Sequence, residues 1–118
     1  MSTDDLVSVV DREMGWAEQA WRQGQEGRAR VCARRAAGHA VRVYFQKGGA
    51  GNFAKDALTA LKKLATLKDL PQEIRHTAAR LVARETDAIG RTTHPLEDAW
   101  KLIQHFFPTR PDGRPWRP

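Results

Sequence analysis

The chain has 118 residues, of which 29% are charged and 41% hydrophobic, with a formal net charge of +6. That length suits one domain with one continuous core and is short for two. No stretch approaches the roughly 20 uncharged apolar residues of a membrane span, and the acidic start MSTDDLVSVVDREMG lacks the basic region of a secretory signal, so the expectation is a cytoplasmic protein without a membrane partner.

From about Thr3 to Gln23, Leu6, Val10, Met14, Ala17, Ala20 and Trp21 recur at helical spacing behind the potential caps Ser2 and Thr3, and GQEG at 24–27 breaks the pattern. A second helix is predicted from about Glu26 to Gln46, closed by KGGAGN, whose three glycines mark a C-cap and a turn. A third spans about Phe53 to Lys68 on Ala57, Leu58, Leu61, Leu64 and Ala65, after which Pro71 opens a fourth, about Pro71 to Ala88, with Ile74, Ala78, Leu81 and Val82 on its inner side. The break IGRTTH leads into a last helix, about Pro95 to Phe107, whose stripe of Leu96, Ala99, Trp100, Ile103, Phe106 and Phe107 is the strongest in the chain.

Period-two alternation is absent, so the fold class is all-α: an antiparallel up-and-down four-helix bundle with a short fifth helix, spanning 1–107. Four prolines in the last eleven residues predict an extended C-terminal tail over 108–118.

Charge is unevenly spread. Residues 1–25 carry two basic and five acidic groups, residues 26–47 six basic and one acidic, so the basic excess collects on the second helix. Such a patch attracts phosphate backbones or an acidic protein. At 100° per residue, Ala29, Cys32, Ala33, Ala36, Ala37, Ala40, Val43 and Tyr44 share one face of roughly 140°, the predicted core side, where alanines let a neighbouring helix approach closely. The opposite side holds Arg30, Arg34, Arg35 and Arg42 together with Val31, Val41 and Phe45. Solvent alone does not favour the last three, and they are read as a second buried contact, that of a two-fold homodimer.

Three stretches resemble small prokaryotic members of the HEPN superfamily (higher eukaryotes and prokaryotes nucleotide-binding domain). AEQAWRQGQEGRARVCARRAAGHAVRVYF at 17–45 is similar to the family's first helical hairpin, HTAARLVARETDAIGR at 76–91 to its fourth helix and following turn, and THPLEDAWKLIQHF at 93–106 to its final helix. The resemblance covers about residues 4–107. It implies a four-helix bundle that dimerises and works in RNA- or nucleotide-handling systems, including those of toxin-antitoxin type, often beside a small nucleotidyltransferase partner. Active members are metal-independent ribonucleases in which an arginine steadies the phosphate and a histidine, separated from it by four to six intervening residues, helps the ribose 2'-hydroxyl attack it.

Arg34 and His39 are the one pair with that spacing, and they are the catalytic candidates. They lie within the second helix, whereas the family's motif falls later in the chain. A five-residue step on an unbroken helix also turns the two side chains about 140° apart. A kink at Gly38 or a second chain would be needed to bring them to one phosphate, while Arg35 and His39 at i, i+4 are the closer neighbours.

No metal or cofactor is expected. His39, His76, His94 and His105 form no ligand motif, the single Cys32 reads as a small buried residue, and KGGAGN lacks the strand and lysine of a phosphate loop. The tail DGRPWRP is similar to a minor-groove arginine hook, although Asp112 stands where the first arginine belongs; alternatively Trp116 folds back on the bundle or docks a partner. The sequence therefore leaves three functions: an RNA-, nucleotide- or partner-binding homodimer using Arg30, Arg34, Arg35 and Arg42; a ribonuclease using Arg34 and His39; and a purely structural dimer.

Overall fold

Every other element of the computed structural model, which describes residues 3–49, 53–84 and 90–116, is organised around the alanine-rich second helix. In chain order the helices are α1 (Thr3–Arg22), α2 (Glu26–Lys47), α3 (Ala57–Leu64), α4 (Gln72–Val82) and α5 (Pro95–Phe106); among the described residues all regular structure is helical. The long helix α2 packs against α1, α3 and α5, while α4 fills the space beside α3 and α5. Helices α1 and α5 both lean on α2 but scarcely on each other, which leaves a groove between them.

The α1–α2 hairpin closes as the glycine predicts. Gly24 takes φ +75°, its N–H donates to the Trp21 carbonyl at 3.1 Å, and Gln25 N–H donates to the Ala20 carbonyl at 2.8 Å. These two bonds satisfy carbonyls that the end of α1 would otherwise leave open. Ala29, Ala33, Ala36, Ala37 and Ala40 are fully buried and Cys32 nearly so, as the wheel of α2 requires. Tyr44, expected on that core face, is instead 43% exposed and lies over Phe106, ring centroids 4.8 Å apart.

The second buried side of α2 is covered from within the chain. Val41 is completely enclosed in the core, and the half-buried ring of Phe45 stacks on Phe53, centroids 4.2 Å apart and planes 10° apart. Of the three residues read as a dimer contact, only Val31 remains open, at 40% exposure. The apolar signal was real; α3 and the residues before it answer it, since they approach α2 at Gly38, where an added Cβ would sit 2.6 Å from the Ala57 Cα.

Two helices are shorter than their periodicity predicts, for identifiable reasons. Helix α3 starts at Ala57 because Asp56, in extended backbone, accepts the Thr59 N–H at 2.7 Å as N-cap. Phe53 and Ala54 precede it as packing residues whose carbonyls accept from Lys63 Nζ at 3.1 Å and Arg42 Nε at 3.0 Å. Helix α4 ends at Val82, where Ala83 turns extended; positions 85–88 of the expected helix lie outside the described residues.

Proline 95 opens α5, and Asp98 in its first turn accepts from Thr92 Oγ1 at 2.6 Å while pairing with Arg80 of α4 at 3.2 Å. The last residues are not helical, as their prolines demand, but they run back across the molecule instead of extending away. Trp116 is buried, its Nε1–H donating to the Phe107 carbonyl at 2.8 Å, and Arg110 grips both carboxylate oxygens of Asp11 at 3.0 Å. An indole whose N–H has an acceptor gains from burial, which outweighs the freedom of an exposed tail.

Candidate anion site

Arg30 and Arg34 lie one turn apart on α2, facing the end of α4 and the segment that leads into α5. Arg30 is 7% exposed; one Nη donates to the Thr92 carbonyl over a long 3.4 Å, and its Nε is buried without a hydrogen-bond partner. Half-buried Arg34 donates from Nε to the Leu81 carbonyl at 2.5 Å and from Nη2 to the Ala83 carbonyl at 3.4 Å. The hydrogen-bond partners of both guanidiniums are thus neutral carbonyls.

A third guanidinium stands nearby. Exposed Arg91 borders a cavity of about 350 Å³ together with Glu26, Arg30, Thr92 and Thr93. Burial pushes the pKa of Arg30 down, repulsion from Arg91 adds to the shift, and Glu26 opposes it. Arg34 is lowered by burial first, then by Arg30 and Arg91. A guanidinium does not lose its proton at neutral pH, so these shifts express electrostatic tension in a cluster that stays charged. Two lining guanidiniums against one lining carboxylate, with Arg34 adjacent, leave an excess of positive charge around the cavity. Two threonine hydroxyls border it as well, although that of Thr92 is already spent on Asp98.

The remaining α2 candidates lie elsewhere. Arg42 donates to the Ala54 carbonyl on the α3 side, and Arg35 is exposed with no hydrogen bond or ion pair among the described residues. His39 is half-buried, its Nε2 enclosed and unpartnered; burial lowers its pKa, Arg42 and Arg12 add to the effect and Asp5 opposes it. The imidazole is consequently neutral at pH 7. Its charged neighbours belong to α1 and to the α2 turn that follows it, whereas Arg34 is engaged with the end of α4. Arg34 and His39 thus engage different surroundings, and α2 runs as an unbroken helix through Gly38.

Arg91, Thr92 and Thr93 were legible only as a break between helices; the one available clue was an arginine beside two hydroxyl residues just after a glycine. Cys32 is buried, and burial raises its thiol pKa, which leaves it protonated. Among the described residues no helix is long and apolar enough to cross a membrane. No protein-family model matches the chain, and no curated protein or solved structure matches it either.

Proposed function

We propose that the chain is a binding module, a HEPN-like helical homodimer that takes a phosphate of RNA or of a nucleotide in the cavity beside Arg30 and Arg91. The observation that carries the reading is a 350 Å³ cavity lined by Arg30 and Arg91 against one carboxylate, with Arg34 near enough to be repelled by both guanidiniums. A phosphate there relieves the mutual repulsion and offers acceptors to guanidinium N–H groups that carbonyls satisfy poorly. In this reading the helices form a variant of the up-and-down bundle, the two-fold runs through Val31, exposed Arg35 extends the basic surface, and the module works in the cytoplasm, with a nucleotidyltransferase as a protein partner. A ribonuclease would require Arg34 of one protomer to meet His39 of the other, and no observation favours that arrangement.

The test is binding of a short fluorescent single-stranded RNA and of a nucleoside triphosphate to wild type and to Arg91→Gln, repeated across a salt series. Phosphate contacts make log K fall linearly with log salt, and losing one contact lowers the slope by about one. Arg91→Gln is expected to weaken both ligands about tenfold, the scale of one lost contact worth about 1.4 kcal/mol, with that reduced slope. An unchanged affinity and slope would overturn the site. A monomeric mass at all concentrations in light scattering would overturn the dimer.

A further inference from the structure

A second cavity lies away from Arg30 and Arg91, in the groove that α1 and α5 leave between them. It measures about 780 Å³, within the range of a small-molecule site, and the returning tail closes part of its wall with Trp116. Three indoles, Trp21, Trp100 and Trp116, line it, with Trp100 and Trp116 centroids 6.3 Å apart. Three carboxylates, Asp11, Glu18 and Glu97, line it too, against two guanidiniums, the lining Arg22 and Arg110, which pairs with Asp11. In a chain of net charge +6 this is an acidic aromatic groove.

Gly15 adds to the open space of the groove. It sits inside α1 on the groove wall, and a Cβ built there meets nothing within 4 Å. A glycine inside a helix costs about 0.5–1 kcal/mol relative to alanine, and no close packing contact here requires it. Its effect is to keep the floor between Asp11 and Glu18 clear.

The spacing of the charges selects among cations. Asp11 and Glu18 are seven residues apart on one face of α1, so the helical rise separates them by about 10 Å, with Met14, Gly15 and the indoles between. A metal ion or a compact ammonium would use one carboxylate and waste the apolar wall. We infer that the groove binds a linear aliphatic polyamine, whose ammonium groups reach the carboxylates while its methylenes lie along the tryptophans. Cation–π attraction adds to the pairing, and the exposed Glu18–Arg22 ion pair at 2.5 Å is of the kind that yields at little cost. Asp11 keeps Arg110 as a partner, which fixes its carboxylate at the groove wall.

Spermidine titrated into the full chain, followed by tryptophan fluorescence and calorimetry, tests this directly. Saturable binding is expected, weakened at least about tenfold by Gly15→Phe, which fills the groove, and several-fold by Glu18→Gln; Arg91→Gln, outside the groove, leaves it unchanged. Circular dichroism and a urea midpoint confirm that each variant is folded. Tetramethylammonium binding as tightly as spermidine, a lysine-rich peptide binding where spermidine does not, or a Gly15→Phe protein that binds spermidine normally would each overturn the inference.

Discussion

Arg34 of α2 donates its Nε–H to the Leu81 carbonyl at 2.5 Å, and through this bond one helix caps the C-terminus of another. The last carbonyls of a helix have no partner within it, and a cation there complements the helix dipole as well as the lone pairs. Arg34→Ala is therefore expected to lower stability by about 1–3 kcal/mol, the range for a charge-assisted hydrogen bond together with the acceptor it leaves behind. Arg34→Lys recovers only part of this, because an ammonium lacks the fork that spans Leu81 and Ala83. Urea denaturation with an unchanged m-value is the measurement. A variant within 0.5 kcal/mol of wild type would mean that water replaces the cap without loss.

Gly38 and Gly15 are both helix-interior glycines, and their environments predict opposite outcomes on substitution by alanine. At Gly38 the new methyl would fall within 2.6 Å of Ala57 backbone, on both sides of a helix contact that cannot open without moving α3. Overpacking of that kind costs about 1–3 kcal/mol, more than the ~1 kcal/mol or less that better helix propensity returns, so Gly38→Ala destabilises. At Gly15 there is no opposing atom within 4 Å, and Gly15→Ala gains about 0.5–1 kcal/mol. Urea midpoints of the two variants should move in opposite directions; a shared direction would refute the α2–α3 contact at Gly38.

What the sequence made legible follows from what its patterns physically encode. Periodicity marks burial, so the alanine face of α2, the stripe of α5 and the glycine-closed α1–α2 turn were all readable. It does not say what does the burying: Val41 and Phe45 announced a second contact, and whether a partner chain or α3 supplies it depends on how the chain crosses itself at Gly38. Helix ends at Asp56 and Val82 fall short of the periodicity because they are set by bonds to distant groups or by local caps that compete with an apolar stripe continuing past them. The arginines of α2 were visible as charge, but a guanidinium facing solvent and one spent on a carbonyl 47 residues away look the same in one dimension. Arg91 joined the site only through folding, and so did the three indoles of the α1–α5 groove.

His39 gives the molecule an acid-sensitive point separate from its carboxylates. In the folded chain, burial and the neighbouring Arg42 hold its pKa below the ordinary histidine value, whereas the unfolded chain titrates near that value, about 6.5. The unfolded state thus binds the proton first. Stability contributed by the neutral imidazole is present in full above about pH 6.5 and falls as pH drops through that value, until the folded histidine also protonates. Asp56, Glu73 and Asp112 act in a lower window: their hydrogen bonds to Thr59 N–H, Lys101 and Arg110 depress their pKa values, so what they contribute is lost only as pH falls through the usual carboxylate range and below it. His39→Gln, which is neutral at every pH and close in size, is expected to remove the decline that begins below about pH 6.5 while keeping the steeper loss in the carboxylate range. Urea midpoints at half-unit pH intervals resolve the two windows. If wild type and His39→Gln lose stability in parallel from about pH 6.5 down to the carboxylate range, the imidazole is solvated in the folded chain and another group carries the transition.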